Sequence, residues 1–263
     1  MQPIIEVKNL IKSFSDRRVL NELNLSIPKG CILVIMGMSG CGKSTLLKHL
    51  IGTHRPDSGE IHLFGRDITQ MNQSQMDEVR KKIGILYQSA ALFNSMTVGE
   101  NVAFPLKEHA SLNSKIVQIM VRIKLELVGL SGFENLMPSQ ISGGMKKRVG
   151  IARALALDPE LVFYDEPGAG LDPITLASID QLILDLSKKL GITSVVVTHE
   201  MTSAFRIADV MVMMHGGKIV EIGTPDQMRE SKNPLLRQFV AGSVDGPIPM
   251  RRDSGEYLKS LTR

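Results

Sequence analysis

The nine residues GMSGCGKST, Gly37 to Thr45, hold three glycines, a lysine and a Ser-Thr pair, directly after the apolar run Cys31 to Met36. Glycine loses more freedom on folding than any other residue, so a cluster of glycines implies that something must approach the main chain closely. The spacing Gly37, four residues, Gly42, Lys43, Ser44 fits the phosphate-binding loop G-x-x-x-x-G-K-[ST]. In such a loop successive N–H groups turn inward to form a concave anion site. A helix predicted over Ser44 to Ile51 and stopped by Gly52 adds N-terminal amides and a partial positive charge. Lys43 would then bridge the β- and γ-phosphates of a nucleotide, and Ser44 would ligate Mg²⁺. The nucleotide-binding candidates here are Gly37, Ser39, Gly40, Cys41, Gly42, Lys43, Ser44 and Thr45.

Two further stretches carry polar groups where apolar runs end. In Leu161-Val162-Phe163-Tyr164-Asp165-Glu166, four apolar residues lead into two carboxylates. In an open α/β sheet the chemistry sits at the carboxyl ends of the strands. Asp165 would hold Mg²⁺ or its water, and Glu166 would polarise a water for attack on the γ-phosphate; taken alone, the pair also reads as solvated loop acids. Ile141-Ser142-Gly143-Gly144-Met145 precedes a predicted helix running through Arg153. Ser142 fits an N-cap, and the glycines expose helix amides to an anion. On this stretch alone, a plain loop-to-helix junction explains the residues equally well.

The elements that must position these groups are legible from periodicity. Strands are expected over Ile4 to Val7, Val19 to Ile27, Cys31 to Met36, Glu60 to Phe64 and Ile83 to Tyr87. Leu161 to Tyr164 and Ser194 to Val197 are short, apolar and branched or aromatic, as buried parallel strands are. Helices are expected near Met71 to Lys82 and over Ile174 to Leu190. A helix-dominated block at about 90–155 carries breaks at Pro105, Gly129 and Pro138. Strands alternating with helices imply an α/β core with a mainly parallel sheet, an N-terminal antiparallel β part and an inserted helical subdomain.

Composition narrows the class. The 263 residues are 43% hydrophobic, enough for one large domain or a domain with a subdomain. The formal charge of +4 is mild and mixed along the chain, which does not mark a dedicated nucleic-acid binder. The two cysteines, Cys31 and Cys41, sit in a strand and in the phosphate loop. That placement speaks against a disulfide and for a reducing compartment. No apolar run approaches the roughly 20 residues of a membrane span, and MQPIIEVKNL lacks a signal-peptide pattern. Any membrane contact is therefore expected only through partners.

Taken in order, Phe14, the phosphate loop, Gln88 after a strand, ISGGM, YDEP, Ala169-Gly170-Leu171-Asp172 and His199 in VVVTHE resemble the ATP-binding-cassette ATPases over residues 4–240. The resemblance implies that Phe14 stacks on adenine. Gln88 contacts Mg²⁺ and the attacking water and links the site to a transmembrane partner. Ser142, Gly143 and Gly144 bind the γ-phosphate held by a second copy, so active sites form between two chains of a homodimer. Asp172 communicates across that dimer, and His199 contacts the γ-phosphate and orients the water. The catalytic set is thus Glu166, His199 and Gln88, and the metal set Ser44, Gln88 and Asp165. Position 145 is Met where Gln is usual, position 168 is Gly where Thr or Ser is common, and Phe14 lacks a tyrosine's hydroxyl. None of these departures removes a phosphate ligand or the catalytic acid.

The run from Tyr87 to Leu106, Met145, and Asp245-Gly246-Pro247-Ile248-Pro249 narrow the resemblance to ATPases of the Mla and other MCE-linked phospholipid transporters. That family implies a permease resembling MlaE, an MCE protein resembling MlaD and a small STAS-domain protein resembling MlaB. It also implies a place on the cytoplasmic face of the inner membrane. Residues 89–106 are expected to receive a loop of the permease. Residues 241–263 form a tail of net charge +1, too weak for a polybasic membrane anchor. Its glycines and prolines should make it leave the cassette extended, and the family implies that it packs on the second copy through Tyr257 and Leu258. The alternatives are a cassette of a small-solute importer or a soluble cassette acting on nucleic acid. The latter commonly carries paired cassettes, a coiled-coil insertion or zinc cysteines, none of which this sequence shows.

Overall fold

The computed structural model describes residues 3–248. Two sheets organise them. The N-terminal sheet is antiparallel, in the order β2 (Arg17–Ile27), β1 (Ile5–Phe14), β4 (Ser58–Leu63), β5 (Arg66–Asp67). The larger sheet runs β10 (Lys218–Gly223), β9 (Val210–His215), β3 (Ile32–Gly37), β8 (Thr193–Val197), β7 (Leu161–Asp165), β6 (Ile83–Leu86). Its strands are parallel except β10, which pairs antiparallel with β9 at one edge.

Every residue of β3 and β8 is buried, as expected where both faces of a parallel sheet are covered. Successive side chains enter opposite cores. Val34 and Met36 of β3 join Val162, Tyr164 and Val196 beneath the helical side. Leu33 and Ile35 join Phe163, Val195 and Val197 against the antiparallel sheet and α1 (Lys43–Leu50). The sheet is therefore a two-faced plate whose strand ends have little freedom to shift.

Between β5 and β6 runs α2 (Gln73–Arg80). The predicted helical insertion is α3 (Val98–His109), α4 (Ser114–Leu127) and α5 (Gly143–Ala154). A capping box between Thr97 and Glu100 starts α3. Pro105 does not break that helix, contrary to expectation. The chain stays helical to His109 because Val102, Ala103 and Leu106 are buried in the helical-side core, outweighing the one lost backbone bond. After β7 comes α6 (Pro173–Leu190), capped by Asp172, and after β8 comes α7 (Met201–Ile207). The chain then forms β9 and β10, followed by α8 (Pro225–Glu230) and α9 (Pro234–Ala241).

The start of the tail also departs from expectation. Residues 242–248 do not run out extended but turn back along α9. The Gln238 side chain accepts from Ile248 N at 2.7 Å and donates to Ile248 O at 3.1 Å, and Ile248 is buried. An apolar side chain and a paired backbone outweigh the extended preference of the flanking prolines. The expected contacts of Tyr257 and Leu258 lie outside the described residues.

Candidate active site

Four parallel strands deliver polar residues to one end of the plate. β3 ends in the Gly37 loop, β6 leads to Gln88, β7 ends at Asp165 and Glu166, and β8 leads to His199. Register fixes their relative depth: Asp165 pairs with Val197, which itself pairs with Ile35. A cleft of about 400 Å³ opens there. Ser39, Gly40, Gly42, Lys43, Ser44 and Thr45 line one side, and Gln88, Asp165, Glu166 and His199 line the other.

Gly37 and Gly42 are needed for space, and Gly40 for its left-handed backbone. Gly37, Gly40 and Gly42 have φ of +145°, +77° and +110°. A Cβ on Gly37 would stand 2.3 Å from Met214 O, and one on Gly42 would stand 2.9 Å from Val19 O. No other residue fits this backbone path without moving β9 or β2. Lys43 Nζ donates to Gly37 O at 2.6 Å and Met38 O at 3.1 Å, so the ammonium lies over the loop. The first turn of α1 carries no acid and its N-cap makes no side-chain bond. Its amides, the Lys43 ammonium, the Ser44 hydroxyl and the Asp165 carboxylate form a donor and acceptor set that fits a phosphate chain with a divalent cation.

Burial pushes the Asp165 carboxyl up, and the neighbouring Glu166 charge pushes it further, while Lys43 and Lys147 oppose both. Such a carboxylate gains from a cation beside it. Glu166 sits at φ +48°, in the left-handed region, with its N–H donating to Val197 O at 2.9 Å. Its Oε1 lies 2.9 Å from His199 Nδ1, and His199 N donates to its Oε2 at 3.4 Å. The side chain of Glu166 is mostly buried, whereas that of His199 is open to solvent. The arrangement holds the Glu166 carboxylate against Nδ1, while Nε2 of the same ring lies 3.9 Å from Glu200 Oε1.

Other expected residues are not brought into this cleft. Cys41 is buried behind the loop, its thiol pushed up by burial. Phe14 is half-exposed at the end of β1, edge-on to His54 at 6.2 Å. Ser142 caps α5 by accepting from Met145 N at 3.2 Å. Gly143 is exposed, while Gly144 is buried so close to α6 that an added Cβ would meet Thr175 Cγ2 at 2.6 Å. Asp172 accepts from Thr175 Oγ1 at 2.5 Å and from the amides of Ile174 and Thr175 at 3.0 Å, and these bonds hold its carboxyl below the usual range. None of these residues lines the cleft of its own chain.

Residue types alone missed three neighbours of the site. Arg17 and Val19 of β2 line the cleft, brought in by the packing of the antiparallel sheet over the loop. Lys147, inside α5, donates to Gln88 O at 2.5 Å and Glu166 O at 3.1 Å. Its one sequence signal is a lysine on the inner side of a helix that otherwise packs against the sheet.

Comparison with known proteins places this geometry. The profile described as ABC transporter matches residues 20–169. The chain is 43% identical over 260 residues to the intermembrane phospholipid transport system ATP-binding protein MlaF of Haemophilus influenzae, covering 99% of this chain and 98% of that protein. It is 42% identical over 252 residues to the probable ribonucleotide transport ATP-binding protein mkl of Mycobacterium leprae, covering 96% of this chain and 73% of the relative. The fold superposes on a dimeric structure of the ATP-binding cassette MJ0796 bound to ADP and Pi, with a TM-score of 0.77 and 30% identity over 84% of this chain and 98% of that one. With the phosphate loop, the paired carboxylates and the histidine gathered at the strand ends, this chain belongs to the ABC transporter family, as one of its ATP-hydrolysing, ATP-binding cassettes.

Proposed function

We propose that this cassette energises the movement of phospholipid between two membranes, acting as a homodimer on a separate permease. The observation that carries the ATPase chemistry is the meeting of Lys43, Ser44, Gln88, Asp165, Glu166 and His199 in one cleft. The lipid substrate is supported by the full-length likeness to MlaF. No helix among the described residues is long and apolar enough to cross a membrane. A permease resembling MlaE, an MCE protein resembling MlaD and a STAS-domain protein resembling MlaB are the proposed partners, at the cytoplasmic face of an inner membrane.

In this reading the loop amides from Gly37 to Thr45 hold the phosphates and Lys43 adds a cationic donor. Phe14 offers a half-exposed ring to the adenine. Ser44, Gln88 and Asp165 hold Mg²⁺, which when bound neutralises phosphate charge and polarises the phosphoryl oxygens. Glu166 accepts the proton of the attacking water. His199, tied to Glu166 through Nδ1, orients that water with its other nitrogen. That Ser142, Gly143 and Gly144 stand outside their own chain's cleft supports their presentation to it by a second copy, with Asp172 near the contact.

The test is purification of the chain with its co-expressed neighbours, followed by reconstitution between lipid-donor and lipid-acceptor vesicles. ATP-dependent, vanadate-sensitive transfer of labelled phospholipid is expected. The likeness to mkl favours a second reading, a small-solute importer, and solute uptake by the reconstituted complex without lipid transfer would replace the lipid assignment.

A further inference from the structure

One face of α5 lies along the segment that follows β6. Lys147, Gly150 and Arg153 are spaced three apart, so they share that face. Gly150 lets the segment come close: a Cβ there would meet Ala90 Cβ at 3.3 Å and Leu86 Cδ1 at 2.6 Å. Arg153 donates from Nη1 to Ala91 O and from Nη2 to Ala90 O, each at 2.8 Å. Ala90 and Ala91 have φ of +59° and +47°. Two successive residues with side chains in the left-handed region persist only where their surroundings hold them.

Lys147 completes the hold from the other end. Its ammonium is buried, and its two protein acceptors are the carbonyls of Gln88 and Glu166. Those carbonyls belong to different strands' ends, and Glu166 itself has φ +48°. A lysine ammonium has three donors and can bond two carbonyls at once. The helix that begins at Ser142 is thereby fastened directly to the peptide that aims the Glu166 carboxylate.

We propose that Lys147 is a positioning residue for hydrolysis, binding the Gln88 turn and the Glu166 turn to the Ser142 helix so that a shift of the helical insertion re-aims the Glu166 carboxylate. Arg153 acts with it by keeping residues 90–91 in their strained path. The proposal rests on the reading of Glu166 as the residue that activates water. The bonded atoms are main-chain carbonyls, which fits a role in setting a turn's geometry. Nucleotide contacts lie on other residues, so binding and turnover should separate.

The test uses the full chain, in its transporter complex where turnover requires it. Lys147→Met keeps length and removes the donors, and Lys147→Gln keeps donors that reach one carbonyl. Phosphate release gives kcat and KM, titration with a fluorescent ATP analogue gives affinity, and Glu166→Gln is run beside them. The expected order of kcat is wild type, then Gln, then Met, with Met down about 10- to 100-fold, the scale of misplacing a catalytic group by about 1 Å. KM and analogue affinity are expected within about threefold of wild type, the range a retained nucleotide site allows. Wild-type kcat in either folded variant, or a loss of affinity equal to the loss of kcat, overturns the proposal. If the Met variant does not fold, the Gln variant decides alone on the same criteria. Normal turnover by Glu166→Gln would instead remove the underlying reading of the site.

Discussion

Replacing Glu166 by Gln is the sharpest perturbation this site offers, because it changes charge and almost nothing else. The side chain is 14% exposed and sits at a turn with φ +48°. Gln has the same length and branching, so the turn need not move. His199 Nδ1, 2.9 Å from Oε1, can accept from the Gln amide, and the Gln oxygen can still accept from His199 N. The folded state therefore keeps its partners, and stability should change by no more than about 0.5 kcal/mol, as for other substitutions that leave packing and bonding intact. What is lost is the mostly buried carboxylate held 2.9 Å from the imidazole Nδ1.

A positioned general base contributes roughly 10²- to 10⁴-fold to a proton-transfer step. kcat for ATP hydrolysis is accordingly expected to fall by about that factor. Nucleotide affinity should hold or rise, because Glu166 is one of two adjacent carboxylates and its charge adds to the upward push on Asp165. Removing it takes one negative charge out of the cleft, which becomes less repulsive to phosphate. Phosphate release under saturating ATP measures the first effect, and titration with a fluorescent analogue measures the second. Size-exclusion chromatography in ATP should then show a trapped dimer. Phosphate release within about threefold of wild type, a loss too small for a missing general base, would refute the reasoning.

Lys43→Ala is expected to fail earlier, at binding, since its ammonium lies over the loop at Gly37 O and Met38 O; analogue titration should show weakening of at least about tenfold, the worth of one charge-assisted bond. Asp165→Asn should raise the melting temperature without nucleotide at pH 7. Burial and Glu166 lift this carboxyl's folded value above its unfolded one, so the ionised form costs the fold stability at neutral pH and the cost disappears as pH falls below the unfolded value. A gain of about 2–4 °C per kcal/mol relieved, shrinking toward pH 4, is checked by thermal melts across pH, with stabilisation by MgATP lost in the same variant. Phe93 is exposed beside Phe104 and Pro105 in a cleft of about 480 Å³ away from the nucleotide loop. Phe93→Asp is expected to abolish lipid transfer and permease association while leaving analogue affinity unchanged, and intact transfer would place the permease contact elsewhere.

The parallel core was legible because its strands are continuous apolar runs. Val195, Val196 and Val197, and Val162, Phe163 and Tyr164, are buried on both sides, and such runs look alike in any context. The phosphate loop and the two carboxylates were legible because glycine spacing and acids at the end of an apolar run are local signals. The edge pair β9 and β10 was not read, although Met211, Met213 and Met214 are fully buried. Methionine has no strand preference, so the run V-M-V-M-M-H carries little periodic signal. Pro105 misled because a local rule was overruled by tertiary burial of its helix. Arg17, Val19 and Lys147 were invisible for a different reason: each reaches the site from an element distant in sequence, and their residue types say nothing about which turn they will meet.

Part of the left-handed backbone of this chain lies beside the cleft. Among residues other than glycine, Ala90, Ala91 and Glu166 hold left-handed backbone at two of the turns beside the cleft, where an ordinary loop would relax. They are kept there by Arg153, Lys147 and the bond from Glu166 N to Val197 O. The restraining cations both come from α5, whose own N-terminus, Ser142 to Gly144, lies outside the cleft. These turns are thus held by a helix whose N-terminus is proposed to meet a second copy. A partner nucleotide that shifted the N-terminus of α5 would move Lys147 and Arg153 with it, because a helix carries displacement along its axis as a rigid body. The same helix packs against β6 so closely that a Cβ on Gly84 would lie 2.4 Å from Ala154 O. Under the proposed function, a dimer closure that displaced α5 would therefore also displace the turn that carries Glu166.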